Sequence, residues 1–442
     1  FAFRECSSLK EIIIPESVDN IKAYAFSECV SLEKLELSDS ILSIGANAFD
    51  KCFLLKDFSI PSSVYTIGSN AFNECKSLTN IEINAQDILI LSNAFKDCTS
   101  LNQVTITSHI EKIYPFTFKN CSSLTSITLP NCITEIGPYA FSKCSSLIEI
   151  KIPSSVIEIG AFAFCDCSSL EHVTISCPIT SFDKYTFAFC SSLKEFSIPP
   201  SVTEIGNYCF GECVSLEKVD IPPTVRSIGS CAFNGCKSLK EIPMPQSVIS
   251  IGFSSFEKCS SLTKLTIPPY VKEIGSNSFK GCSSLTKVTN LSSLIKEFKF
   301  GLFEGCSLLK EFEIPSTVTK LRSSIFKGCC SLTKIVIPSS ISEIGIAAFS
   351  GCSSLKEVSI SSSVKKIYSS CFKDCSSLTE LVLPSSLDLI GTSAFNGCSS
   401  LKSISELSSV KDIGSSAFQN CSSLEKLKIS STSLTKIRAF TF

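Results

Sequence analysis

Cysteine is the residue type in this sequence with the most chemistry to offer, with 26 copies in 442 residues. Thiols can pair as disulfides, hold zinc or act as nucleophiles, and spacing decides among these. From Cys6, steps of 23 reach Cys29, Cys52, Cys75 and so on to Cys282. One step of 24 reaches Cys306, and steps of 23 then run to Cys421. Nineteen of the 26 cysteines therefore occupy one repeat position. Side chains in such a column point the same way, whereas zinc needs converging ligands and a disulfide needs facing Cβ atoms. Each ladder cysteine also lies between apolar positions, and their number is odd. They are expected to be reduced, buried thiols acting as small hydrophobes. The others are Cys132, Cys165, Cys177, Cys209, Cys231, Cys330 and Cys371. Cys209 and Cys231, in neighbouring columns of adjacent repeats, form the best-placed disulfide pair. Cys132 and Cys177 lie two repeats apart, about 9–10 Å, too far to bridge without movement.

Other reactive constellations are sparse. The two histidines, His109 and His172, fall in different columns three repeats apart, so no Ser–His–acid arrangement forms. No phosphate-binding loop, dinucleotide fingerprint or paired catalytic carboxylate motif occurs. Lys and Arg total 40 against 41 Asp and Glu, which argues against a general nucleic-acid or anionic-membrane binder. No apolar run approaches the ~20 residues that span a bilayer. The opening Phe-Ala-Phe-Arg-Glu-Cys lacks the pattern of a signal peptide, so any targeting signal is expected outside this segment. Sequons at Asn120, Asn290 and Asn420 matter only in a secreted chain. The residues point away from an enzyme and call for no cofactor or metal.

The elements that hold the thiol column follow from the same period. Phe stands three residues before every ladder cysteine, from Phe3 to Phe418, and Leu three after, from Leu9 to Leu424. In the repeat of Cys144, Leu147-x-x-Ile150-x-Ile152 alternates with Glu149 and Lys151, a half-buried strand. Pro153 marks the strand end, since proline lacks the N–H that a ladder needs. Val156 and Ile159 return apolar atoms inward. Gly160 makes a bend, but Lys22, Leu91, Tyr114 and Asp183 at that position argue against a glycine-only backbone angle. The following Ala-x-Ala-Phe type of segment is too short for a helix and predicts a 3₁₀ turn or short extended piece. A 23-residue coil cannot bury its own apolar face, but stacked coils bury it as continuous ladders. The sequence predicts one continuous solenoid over residues 1–442, about 19 repeats with strands about 4.8 Å apart. No polar cap is visible at either end, so a longer parent chain, or ends shielded by partners, is expected.

The pattern Cys-x-Ser-Leu-x-x-Ile-x-Ile-Pro-x-x-Val-x-x-Ile-Gly-x-x-Ala-Phe at period 23 resembles the BspA-like leucine-rich repeats, over essentially the whole chain. The resemblance implies a leucine-rich-repeat solenoid, a horseshoe with a concave parallel β-sheet. Its convex side would carry short strands, turns and 3₁₀ pieces, with little α-helix. It also implies a surface or secreted protein of a bacterium or protozoan parasite, engaged in adhesion to host proteins, cells or other microbes. It supplies no fixed catalytic or ligand residues.

Two surface columns carry further information. The exposed strand position five after each cysteine reads Glu149, His172, Glu195, Lys218, Glu241 and Lys264 through mid-chain. Alternating charges across strands solubilise a sheet and fix register, or offer a mixed-charge concave surface to a protein partner. The position 18 after each cysteine is mostly Asn or Ser, which predicts solvent access. Five consecutive repeats instead place Phe116, Tyr139, Phe162, Tyr185 and Tyr208 there, and Phe182 and Phe189 thicken the region. Stacked aromatics either stiffen the convex side or form a binding stripe. The expected function is a non-enzymatic protein-binding scaffold, an adhesin engaging host matrix or cell-surface proteins. A spacer rod and an intracellular interaction scaffold are the alternatives.

Overall fold

The structure, a computed structural model, describes residues 1–442. Two compact units divide the chain, Phe1–Thr224 and Val225–Phe442. Each is a parallel-strand β-solenoid built from the same coil, and every element is a short strand or a turn.

The coil of Cys144 shows how sequence becomes geometry. Its first strand, Glu149–Ile152, turns Ile150 and Ile152 inward and Glu149 and Lys151 outward. The chain turns after Pro153, where the Val156 N–H donates to the Pro153 carbonyl at 3.2 Å. A second strand of two residues, Glu158–Ile159, pairs with Glu135–Ile136 of the coil before. At Gly160 the requirement is room: a Cβ there would stand 2.6 Å from the Pro138 nitrogen.

The segment expected as a 3₁₀ piece is a turn of a different kind. Phe162 and Asp166 have positive φ, 60° and 66°. The N–H groups of Phe162, Phe164 and Asp166 donate to carbonyls of Lys184, Thr186 and Ala188 in the next coil, at 3.1, 2.9 and 2.8 Å. Those of Ala163, Cys165 and Cys167 bond within their own coil. Left-handed residues four apart thus frame a turn in which every second donor reaches the next coil, and these bonds make a third backbone ladder. The same conformation recurs 18 residues after the ladder cysteines and at the residue directly before them.

Inside, the Phe, Leu and Cys columns are buried except in the terminal coils, where Phe3 and Cys6 are exposed. The rings stack nearly parallel, 5.1 Å apart at Phe3–Phe26 and 5.8 Å at Phe187–Phe210 in the first unit. In the second unit Phe233–Phe256 stands at 5.3 Å and Phe279–Phe303 at 5.8 Å. Burying that much aromatic surface is the main source of cohesion between coils.

The first strands form shorter sheets, and three of the breaks have a visible cause. Pro243 falls mid-strand in the Cys236 coil, which has no first strand. In the Cys52 coil Asp57 replaces backbone pairing. Its carboxylate accepts the Thr79 and Asn80 backbone N–H groups at 2.8 and 2.9 Å, and their side chains at 2.7 and 2.8 Å. Burial alone would raise the Asp57 carboxyl pKa, but these four donors outweigh it and hold it below the ordinary value. The extra residue of the 24-residue coil is absorbed at Asn290, with φ 56°. Lys287–Thr289 pairs back to Lys264–Thr266, and Glu311 pairs only onward to Lys334. The parted sheet leaves an open groove of about 1020 Å³ beside Lys287, Asn290, Glu311 and Lys334.

Candidate functional site

The aromatic column is the most unusual surface feature, for a reason rooted in the backbone. Position 18 is left-handed, with φ of 62° at Phe116, 57° at Tyr139, 60° at Phe162, and 59° at Tyr185 and Tyr208. Asn and Ser fill it elsewhere, as at Asn47, Asn70, Asn93 and Ser393, and Asn tolerates this conformation best after glycine. The polar column therefore reflects backbone demand, and the predicted solvent access was inferred from the wrong cause. Five bulky aromatics sit where side chains of that kind are outliers.

All five are half-buried and stack on one another. Ring centroids are 4.8 Å apart for Phe116–Tyr139, 4.5 Å for Tyr139–Phe162, 4.5 Å for Phe162–Tyr185 and 4.6 Å for Tyr185–Tyr208. Interplanar angles stay within 15°. Tyr208 lies so close to Gly211 that a Cβ there would stand 2.1 Å from its Cδ1. Phe189, 40% exposed, extends the patch by stacking on Tyr208 at 6.0 Å. Phe182 does not belong to it. That side chain is buried and packs edge-on against Phe187 and Phe196, in the core.

Two features of this column escaped the sequence reading. The Lys119 ammonium lies 5.3 and 5.2 Å from the Phe116 and Tyr139 centroids, within cation–π range. A second stack, Phe1 on Tyr24 at 4.9 Å, carries the Arg4 guanidinium 5.8 and 6.0 Å from its rings. Lys119 and Arg4 share one repeat position, 21 after a cysteine, so the register was available in the sequence. The direction of the side chains was not.

The charged column is exposed but less regular than expected. Glu149 stands opposite His172, and Glu195 opposite Lys218, yet the Lys218 ammonium turns to Asp220 on its own strand at 3.2 Å. Glu241 lies outside any strand, beside Pro243, and Lys264 faces Lys287, a like charge. Ion pairs across strands form at Lys34–Glu11 and Lys334–Glu357, at 2.7 and 2.8 Å. Both pairs are exposed, where such contacts contribute little.

The thiols are all free. Ladder cysteines are more than fillers: Cys52 Sγ donates to the Phe26 carbonyl at 3.2 Å, and Cys282 to that of Phe256 at 3.2 Å. The Phe26 carbonyl also accepts the Cys29 N–H within its own coil. Burial pushes the Cys144, Cys213 and Cys282 thiols up to about 12. The proposed Cys209–Cys231 bridge is absent. Cys209 occupies the inward position 19 and is fully buried, whereas Cys231 sits at the left-handed surface position 18. Those columns face opposite ways, so shared register does not make facing Cβ atoms. His109 pairs with Asp87 at 3.2 Å and His172 sits on the strand face, so the histidines do not converge. Asn290 and Asn420 are exposed, while Asn120 is half-buried and donates to Asp97 at 2.8 Å.

Comparison with known proteins agrees with this architecture. The BspA type leucine-rich-repeat region matches residues 1–125, 111–236, 203–331 and 323–442. A solved leucine-rich repeat protein of Bacteroides ovatus is 29% identical, over 88% of this chain and 82% of its own, with a TM-score of 0.52. A leucine rich cell surface protein of Faecalibacterium prausnitzii is 27% identical over 84% of each chain, with a TM-score of 0.40. None of the curated proteins compared matches the chain. With the family pattern repeated from one end to the other on parallel-strand coils, this chain belongs to the BspA-type leucine-rich-repeat family.

Proposed function

We propose that the chain is a non-enzymatic scaffold that binds proteins, exposed at a cell surface or secreted, and that it engages host matrix or cell-surface proteins as an adhesin. One observation carries the reading: five consecutive coils place half-buried aromatics at a left-handed position that the other coils, except the terminal ones with Tyr24 and Phe440, give to Asn, Ser, Gly, Ala or Cys. Bulky residues held in sparsely populated backbone regions cluster at functional sites, and interface cores are local and rich in Tyr and Phe. The adhesin role and the location rest on family likeness.

The rings also cover one another, which favours a second reading, a stiffening spine in a spacer rod. One variant separates the two. Changing Tyr139, Tyr185 and Tyr208 together to Asn should weaken capture of a bound matrix protein strongly, at about 2 kcal/mol for each anchoring ring. The fold should persist, because Asn removes backbone strain while stacking is lost. Binding to a panel of matrix proteins, read beside a circular-dichroism melt, decides. Retained affinity overturns the binding reading, and unfolding of the variant favours the spine.

A further inference from the structure

The chain itself places cations on these rings. Lys119 lies over Phe116 and Tyr139, and Arg4 over Phe1 and Tyr24. Both stacks therefore bring a basic side chain from repeat position 21 to a pair of rings. Beyond Lys119 that position becomes Ser142, Cys165 and Ala188. Phe162 and Tyr185 continue the stack with no basic residue at the equivalent place. Yet this stretch is flanked by uncompensated negative charge. A cleft of about 510 Å³ in the same coils is lined by Glu158, Asp183 and Glu204, with Lys184 as the one cation. None of these four side chains forms an ion pair within the first unit. The cleft reaches Lys184 and Asn207, the residues directly before Tyr185 and Tyr208. Ile157, 69% exposed, supplies an apolar rim.

Resting on the reading of the column as a binding surface, we infer that the Phe162–Tyr185 stretch takes lysine or arginine side chains from a basic segment of a protein partner. The aliphatic stem of such a residue lies along Ile157 and the ring edges. Its charged head takes the place over the rings that Lys119 and Arg4 hold elsewhere, with Glu158, Asp183 and Glu204 opposite. Cation–π attraction and charge complementarity then act together, and the carboxylates also favour encounter with a basic surface.

The test uses the full chain and three short synthetic peptides in which glycine alternates with arginine, glutamine or glutamate. Calorimetric titration at low salt should show saturable binding of the arginine peptide, with the glutamine peptide weaker by about tenfold or more. The double variant Phe162→Asn with Tyr185→Asn should lose about tenfold for the arginine peptide. Glu158→Gln with Glu204→Gln should weaken it and flatten its salt dependence. Lys119→Ser should raise the number of arginine peptides bound, because it frees an equivalent pair of rings. A circular-dichroism melt accompanies each variant, and the carboxylate and Lys119 variants leave the left-handed column untouched. Equal binding of the arginine and glutamine peptides overturns the inference, as does unchanged arginine-peptide affinity in the folded double variant. If that variant loses a matrix protein while both peptides bind alike, the column binds proteins by apolar contact and this inference alone falls. If it keeps the matrix protein, the binding reading beneath it falls.

Discussion

The same repeat position reads differently in the two units. In Phe1–Thr224, position 18 carries an unbroken run of aromatics from Phe116 to Tyr208; in Val225–Phe442 it carries Cys231, Ser254, Asn277, Gly301, Ser324, Ala347, Ser370, Ser393 and Ser416, with Phe440 alone in the last coil. Backbone conformation does not differ, since φ is 59° at Tyr185 and 56° at Ser416. The core beneath does not differ either: Phe rings stack 5.4 Å apart at Phe164–Phe187 and 5.5 Å apart at Phe256–Phe279. What changes is only what the turn presents. The left-handed position is thus a socket that the fold maintains for its own ladder, and its side chain is free to vary at modest cost. Specialisation of a repeat array requires such positions, because core columns cannot change without breaking the stack.

The largest expected effects probe the shared part. Phe187→Ala in the first unit should cost about 3–5 kcal/mol, and Phe256→Ala in the second the same, since both rings are fully buried between two others. Thermal melts of the two variants check this, and a marked difference would show that the units do not share one core logic. Alkali should act on both alike. A buried thiol whose folded pKa is raised adds stability that is fully present below the unfolded value near 9, and loses it as pH rises toward about 12. Cys144 in one unit and Cys282 in the other have this shift, so chemical-denaturant stability should fall steeply between pH 9 and 12. Thiol labelling at pH 8 should mark Cys6 and Cys330, which are exposed, and spare the buried ladder until the chain unfolds.

How much of this was legible in residues alone follows from which features repeat. Period 23, the Phe column and the strand Glu149–Ile152 were visible because burial imposes the same side chain coil after coil. The second strands, such as Glu158–Ile159, are two residues long, too short for alternation to declare itself. The left-handed residues before each cysteine were signalled by Gly235, Gly281 and Gly305, but Lys143 and Asp166 share the conformation and dilute the signal. The step of 24 was visible, but its placement at Asn290 depends on which carbonyls the turn can still reach. Thiol donation to a Phe carbonyl one coil back is likewise a property of the turn's path. Among site residues, the aromatic column was readable as a departure from its neighbours. The cations over it were not, because Lys119 and Arg4 look like ordinary surface charges until the side chains are placed.

Smaller effects sharpen the contrast. Cys282→Ala removes the Sγ donor to Phe256 and opens a small void, at about 1–2 kcal/mol by denaturant titration. The Phe256 carbonyl keeps the Cys259 N–H at 3.2 Å, so the backbone turn should survive. Lys334→Gln, which breaks the exposed pair with Glu357, should leave the melt unchanged within error.

The finest test moves an aromatic into the second unit's row of serines. Ser393→Tyr places a ring at φ 54° with Ser370 and Ser416 on either side, so nothing stacks on it. A single isolated ring bears the left-handed strain without the compensating contacts that Tyr185 draws from Phe162 and Tyr208 at 4.5 and 4.6 Å. The expected cost is about 1 kcal/mol, read as a small fall in the denaturant midpoint. Adding Ser370→Tyr and Ser416→Tyr should recover most of it, because each neighbouring pair contributes about 0.5–1.5 kcal/mol of ring contact. Recovery would mean that the stack stabilises itself once begun and that its confinement to five coils was set by what it touches outside the chain. A cost that instead grows with each added ring would mean that the first unit has features beneath the column that the second lacks, and the socket would not be interchangeable.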